Sequence, residues 1–388
     1  IEGLRDLGLA HDEGPYFQSE RLEIYQRYAQ ELIDKGFAIR TDRGDAEKGE
    51  AVVLAAPTED VWWVDEVKGG ISFAAQDLQE LVILKSDGFP TYNFACAIDD
   101  HEMGITHVLR GDDHVSNTPK QIAVYRALDW EPPKFAHLPM IMGMDGQKLS
   151  KRHGSVKVTE FLDAGYLPHV LLNFIALLGW SPGDDLEIMP MDEMVRLFEI
   201  NRVRPTASRF DYEKLAWMNG HYLRMIDLKD AIPAAKHVFS LRGMNPSDEW
   251  LLAAMELYRE RMRTLVEFAD TVSVYLIADE DLKYTAEANN KVLSKPGCVE
   301  VIEKLATDLA QLPEFTEATL EPCMKGIAAA LSVGFGKVAQ PVRVALTGGV
   351  ASPEIFRTMM LAGKDMTVRR LVRLASQMRA NELPIAGE

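Results

Sequence analysis

Apolar residues at Leu22, Tyr25, Tyr28, Ala29, Leu32 and Ile33 recur at the spacing of one helix face. Ser19 ahead of them reads as the N-cap, and Gly36 after Lys35 as the stop. The period then shortens. Ala51–Ala55, Val61–Val64 and Gly70–Phe73 are short β-like runs, and Trp62-Trp63 inside one of them reads as at least half-buried packing. Thr91–Ile98, beside Pro90, reads as a strand or a helix start. Thr106–Arg110 reads as a buried strand with a charged end, and Phe135–Met142 as a buried extended segment. Between them Thr118 opens a helix with Pro119 in its first turn, ending near Trp130. Leu167-Pro168 begins an apolar helix that Gly179 stops, and Asp192–Phe198 gives another; Asn219 and Trp217 read as packing residues. From Asp227 onward only helical spacing is found, over Glu249–Phe268, Val299–Leu312, Glu317–Leu331 and Thr367–Met378, the last with Arg369, Arg370 and Arg373 along one face. Gly336 to Pro341 reads as a helix-breaking turn.

An alternation of mixed periods followed by helices alone predicts an α/β part and then an all-α part. The chain's 388 residues are enough for two or three domains. No run of about 18 apolar residues is present, so no membrane span is expected, and no signal-peptide pattern opens the chain. Cys96, Cys298 and Cys323 are far apart, which suits a reducing cytosol and gives no Cys-x-x-Cys site; no structural zinc is expected. The net charge of −17 argues, taken alone, against a nucleic-acid partner, so any RNA-binding role needs a locally basic face.

Local chemistry concentrates in Met140–Gly154. Lys148, Lys151, Arg152 and His153 stand within six residues around one hydroxyl, Ser150, with Gly143, Gly146 and Gly154 flanking them. Such a run reads either as a solvated surface loop or as a mobile cationic loop whose ammonium groups meet phosphate oxygens. Its position after an apolar extended segment is where open α/β sheets bind ligands. Two other clusters carry charge. Asp99-Asp100-His101 reads as a hydrogen-bonding group rather than a metal site, lacking a third clear ligand; Arg202, Arg204 and Arg209 read as a solvated turn or as a contact to RNA phosphates.

Lys148-Leu-Ser-Lys-Arg152 resembles the Lys-Met-Ser-Lys-Ser-type signature of class I aminoacyl-tRNA synthetases, in the form found in glutamyl-tRNA synthetases. Asp87–Phe94, Ile98–His101, Ile105–His114, Ser116–Pro119, Tyr166–Pro168, Asn173, Leu178–Trp180, Leu215–Asn219, Gly336–Pro341, Arg343 and Leu346–Gly348 are similar to that family in order and spacing. The resemblance covers essentially the whole chain. It implies a class I Rossmann-type catalytic domain with a small inserted domain, then helical stem-contact and all-helical anticodon-binding domains. It places the first Rossmann remnant at 1–37, a shortened acceptor-arm-binding insertion at 38–84, the second Rossmann half at 85–147, the signature loop and stem-contact domain at 148–226, and the anticodon-binding domain at 227–388. The family's His-x-Gly-His motif is expected upstream of residue 1.

The resemblance also implies roles. Lys148, Ser150, Lys151 and Arg152 fall in the catalytic signature, and Lys148, Lys151, His137 and Leu138 at ATP-binding positions. Tyr92 and Arg110 fall at the glutamate-recognition positions, and Cys96 stands where some relatives have Asn. The implied reaction is ATP-dependent ligation of L-glutamate to tRNA(Glu) through a glutamyl-adenylate, with Mg2+ arriving on ATP and no metal held by the protein alone. A cytoplasmic monomer is expected. The alternatives are a non-catalytic tRNA-binding fragment and a glutaminyl or queuosine-related ligase; the helical C-terminal half favours the glutamyl family over both ligases.

Overall fold

The computed structural model describes residues 2–42, 50–150, 152, 154, 157–183 and 185–386. Lys151, His153 and the polar stretch 43–49 lie outside the described residues. The chain divides into two compact units, one of residues 1–156 and 171–212, the other of 157–170 and 213–388.

The first unit opens with helices α1 (Glu2–Asp6) and α2 (Leu22–Asp34), then strands β1 (Ala38–Thr41), β2 (Ala51–Leu54), β3 (Val61–Asp65), β4 (Gly69–Phe73) and β5 (Leu81–Leu84). Helix α3 (Tyr92–Glu102), β6 (His107–Gly111), α4 (Thr118–Ala127), β7 (Lys134–Leu138) and β8 (Ile141–Met142) follow. Strands β1, β2 and β5 make an antiparallel sheet. The second sheet runs β4-β3-β7-β6, with β7 parallel to both β3 and β6. Strands β3 and β4, read as part of the 38–84 segment, are therefore hydrogen-bonded into the sheet that carries β6 and β7. Tyr25, Leu32, Ile83, Phe94 and Ile98, all fully buried, form the core that joins α2 and α3 to the first sheet.

Local expectations fail where a tertiary contact overrides them. The cap of α2 is Arg21, not Ser19, which sits in a 3-10 turn; Arg21 is drawn to the Asp99 carboxylate at 2.9 Å and no side chain caps the helix. Thr91–Ile98 resolves to a helix, α3, starting at Tyr92. Alternation along β3 buries Trp63 and leaves Trp62 64% exposed, so only one of the pair packs. Strand β6 is the edge of its sheet and is half-exposed rather than buried.

The second unit is helical. It takes in α5 (Val158–Asp163) and the first turn of α6 (Pro168–Gly179), while α7 (Met191–Leu197) and β9 (Ser208–Arg209) lie in the first unit. It continues from α8 (Tyr212–Met225) through α9 (Leu228–Ser240), α10 (Asp248–Tyr258), α11 (Leu265–Val272), α12 (Ala286–Ala288), α13 (Cys298–Ala310), α14 (Glu317–Ala330), α15 (Gly336–Thr347) and α16 (Ile355–Ala362) to α17 (Lys364–Ala380). The expected helix Glu249–Phe268 is broken at Arg259–Met262 into α10 and α11, where Thr264 caps the new start. Gly336–Pro341 is no turn: α15 runs through Pro341, which lacks one backbone donor, and burial of Val338, Val342, Ala345 and Leu346 outweighs that loss. Asn219 is fully buried and bridges the Leu167 amide and the Arg263 carbonyl, whereas Trp217 is 46% exposed and not a core residue.

Of the arginines on α17, Arg370 turns inward. Arg370 is fully buried and donates to the Asp279 carboxylate at 2.8 Å, to the Leu346 carbonyl at 2.8 Å and to the Val274 carbonyl at 2.9 Å. Arg369 meets the other oxygen of Asp279 from the surface. No helix among the described residues is long and apolar enough to cross a membrane.

Candidate active site

Three parallel strands end together. Asp65 closes β3, Arg110 sits one residue from the end of β6, and His137 one residue from the end of β7. Register places Arg110 beside His137. The carboxyl ends of parallel strands are where open α/β sheets hold ligands, because the loops leaving them diverge.

His137 and Asp65 are both buried, and the His137 Nδ1 approaches Asp65 Oδ2 at 2.5 Å. Asp65 Oδ1 accepts the backbone amides of Val67 at 3.1 Å, Lys68 at 3.0 Å and His137 at 3.1 Å. Burial works against its charge, but these bonds together hold its pKa below the usual carboxylate value. Burial likewise lowers the pKa of His137, against the pull of Asp65. The pair is thus carboxylate and neutral imidazole, with the ring proton on Nδ1 facing an oxygen that can only accept.

The other ring nitrogen, Nε2, accepts the Arg110 Nε–H at 3.1 Å, and the Thr118 hydroxyl lies 3.1 Å from it. Arg110 also donates through Nη2 to Thr118 Oγ1 at 2.7 Å and through Nη1 to Gln121 Oε1 at 2.9 Å. The guanidinium lies over the Phe135 ring, 5.4 Å from its centroid. Arginine has five N–H donors; these three bonds leave two, one on each terminal nitrogen. The carboxylates that follow Arg110 in the chain, Asp112 and Asp113, pair elsewhere. Asp112 pairs with Lys68 at 3.0 Å, and Asp113 with Lys148 at 3.7 Å.

Helix α3 supplies the facing wall. Tyr92, Cys96 and Asp100 stand four residues apart along one face. Burial depresses the pKa of Arg110, and the groups that pull it back up are these three. Asp100, desolvated and beside Asp99 but opposed by Arg110, is pushed up to about 6. The Tyr92 ring lies 5.8 Å from that of His114, whose Nδ1 is 3.1 Å from Asn117 Nδ2.

The cationic stretch begins as a hairpin rather than a loose loop. Leu149 N–H bonds the Ile141 carbonyl at 3.0 Å, Gly143 N–H bonds the Gln147 carbonyl at 2.7 Å, and Gly146 takes φ +76° at the tip. Lys148 returns along β8 and stays largely exposed. Arg152 is held locally by Gln147 and Asp145. Gly154 lies against the Tyr212 ring, which a Cβ would meet at 3.2 Å.

The structure thus brings Tyr92 and Arg110 to one face, and Lys148 to within reach of Asp113, two residues past the end of β6. It also narrows what the expected ATP-binding position His137 can offer a nucleotide. The His137 side chain has no exposed surface and both ring nitrogens are engaged, which leaves its backbone as the part available to a ligand. Leu138, half-buried, ends β7 beside it. Asp65, Thr118 and Gln121 were not expected as site residues; Asp65 closing the apolar run Val61–Val64 was the one available signal. Asp99 is spent on Arg21, Tyr25 and Gln18, and His101 stacks on Trp130 with centroids 3.5 Å apart.

Residues 41–217 match the family described as "tRNA synthetases class I (E and Q), catalytic domain", and residues 227–375 match "Anticodon binding domain". The chain is 39% identical to glutamate–tRNA ligase 1 of Alkalilimnicola ehrlichii, the match covering 96% of this chain and 85% of that protein. It is 38% identical to the glutamate–tRNA ligase of Thermodesulfovibrio yellowstonii, over 96% and 87% of the two. A crystal structure of the glutamate–tRNA ligase of Elizabethkingia meningosepticum, in complex with its amino acid, superposes with a TM-score of 0.81 at 28% identity, covering 97% of this chain and 88% of that one. With the site at the carboxyl ends of three parallel strands, and a helical unit after it, the chain belongs to the glutamate–tRNA ligase family of class I synthetases.

Proposed function

We propose that the protein joins L-glutamate to tRNA(Glu) in two steps. The α-carboxylate of glutamate attacks the α-phosphorus of ATP in line, forming glutamyl-adenylate and releasing pyrophosphate. A terminal hydroxyl of the tRNA then attacks the acyl carbon and releases AMP. Neither step needs a covalent bond to the protein, so positioning and charge stabilisation carry the rate. The observation that supports this reading is the Arg110 guanidinium, held by one bond through each of its three nitrogens, with one N–H left on each terminal nitrogen. Two such donors match the two oxygens of a carboxylate.

Tyr92 stands within interaction range of Arg110 and would flank the same carboxylate. Lys148 faces solvent from the hairpin and, with Ser150, Lys151 and Arg152, would stabilise charge growing on the leaving phosphates. Among the described residues no cluster of three His, Cys, Asp or Glu side chains is arranged to hold a metal. Mg2+ comes to the site on ATP, as part of the substrate.

The test is glutamate-dependent exchange of pyrophosphate into ATP, with and without glutamate tRNA. Expected is exchange in the native protein and a glutamate KM raised at least tenfold by Arg110→Lys, which cannot keep the fork geometry. Exchange supported equally by glutamine would move the reading to a glutaminyl ligase. No exchange, with tRNA binding retained, would make this a binding module.

A further inference from the structure

We infer that Asp65, acting through His137, is a positioning residue for Arg110, fixing which edge of the guanidinium is offered to the substrate carboxylate. The inference rests on the reading of Arg110 given above. Asp65 never reaches the opening: it is buried, as is His137. It acts by proton bookkeeping. Three backbone amides occupy Asp65 Oδ1, which leaves Oδ2 for the imidazole at 2.5 Å. An ionised carboxylate donates nothing, so the ring proton must sit on Nδ1. Nε2 is then an acceptor, and the Arg110 Nε–H points at it from 3.1 Å. Thr118 closes the arrangement, its oxygen accepting from Arg110 Nη2 at 2.7 Å and lying 3.1 Å from Nε2, whose single lone pair faces the Arg110 Nε–H. One whole edge of the guanidinium is thereby bound to the protein, and the remaining donors face away from it.

The opposite tautomer would set Nε2–H against Arg110 Nε–H, donor against donor, and the guanidinium would have to rotate. Ordinary salt bridging does not explain the arrangement. A carboxylate placed directly on Arg110 would neutralise it and occupy the donors a substrate needs. With an imidazole interposed, the arginine keeps its charge and its free edge. Asp65 and His137 lie 72 residues apart, on β3 and β7, so parallel strand pairing is what brings them together.

Asp65→Asn tests this with almost no change in volume. The amide oxygen of Asn takes over the three backbone bonds, and its NH2 faces His137 and forces the ring proton to Nε2. In the native protein labelled with 15N-histidine, the spectrum of His137 is expected to be that of a neutral ring protonated on Nδ1, and in the variant on Nε2. The glutamate KM in pyrophosphate exchange is expected to rise at least tenfold, with the ATP KM within threefold. Thr118→Val, which removes one hydroxyl, is expected to raise the glutamate KM less and leave the tautomer unchanged; it supplies the kinetic arm if Asp65→Asn does not fold. A native His137 protonated on Nε2 overturns the inference, as does a switched tautomer with an unchanged glutamate KM. An Arg110→Lys variant with normal glutamate KM, beside the expected native tautomer, overturns instead the assignment of Arg110 to the substrate.

Discussion

Arg369 and Arg370 grip the two oxygens of one carboxylate, Asp279, and should differ in worth by several kcal/mol. The Arg370 side chain is 0% exposed and that of Arg369 is 59% exposed. Replacing Arg369 by Ala removes a solvent-screened ion pair, worth about 0 to 1 kcal/mol. Replacing Arg370 by Met keeps the bulk but strips one oxygen of Asp279 and leaves the buried carbonyls of Leu346 and Val274 without their donor. Removing one partner of a buried pair costs about 3 to 5 kcal/mol, most of it the desolvation of what stays behind. Native-state hydrogen exchange reads this locally, which matters in a chain of two units that need not unfold together. The expected result is faster exchange at the amides of Leu371 and Leu374, by about 100-fold or more for Arg370→Met and less than about fivefold for Arg369→Ala. Equal effects from the two variants would refute the reasoning, which rests on the burial of Arg370 and on the two carbonyls that it alone of the pair bonds. Acid should act in the same direction. Burial opposes the charge of Asp279, but the two arginines hold its pKa below the usual value. The stabilisation is therefore present above the unfolded carboxylate pKa and is lost as pH falls through the lower folded one.

Asp100, pushed up to about 6, binds its proton more tightly folded than unfolded, so its contribution to stability falls as pH rises from about 4 through 6. Asp100→Asn should therefore raise the melting temperature at pH 8 and not at pH 4; a gain that is equal at both would refute it. Gly165 takes φ +82°, and a Cβ there would meet the backbone nitrogen of Val266 at 2.5 Å, whereas Gly36 at φ +79° has open space. By urea denaturation, Gly165→Ala should cost at least about 2 kcal/mol and Gly36→Ala about 1 kcal/mol. Lys148→Ala should lower the rate of glutamate-dependent exchange by at least tenfold with little effect on glutamate KM, since Lys148 stands on the hairpin and not at Arg110; a changed glutamate KM at full rate would place it elsewhere.

What was legible in the sequence follows the range of the forces involved. Helical spacing announced α2, α13, α14 and α17 to within a few residues, because amphipathic burial is a property of neighbours in the chain. The site was half legible. Arg110 and Tyr92 were reachable through motif resemblance, but the groups holding Arg110 come from β3, α4 and β7, and no local pattern announces a contact over such separations. Ser19 misled because capping preference is worth about 1 kcal/mol, less than the tie between Arg21 and Asp99 together with its neighbours. Pro341 misled for the same reason in reverse: a local penalty was overruled by a buried face that only the packed helices reveal. The arginines of α17 were legible as residues along one face, but not that burial has taken Arg370 for internal architecture.

The short turn Glu66–Lys68 joins β3 to β4, and to an engineer it resembles a harmless place for a tag or an inserted loop. Its wiring says otherwise. The amides of Val67 and Lys68 end on Asp65 Oδ1, the Lys68 ammonium on Asp112, and Asp65 itself on His137. A residue added there would release the carboxylate that sets the imidazole proton, and the disturbance would arrive at Arg110 without touching any group that meets a ligand. Tolerance to insertion in this sheet is thus governed less by exposure than by which amides a single buried oxygen has claimed, and the β3–β4 turn should behave under mutation as a part of the active site.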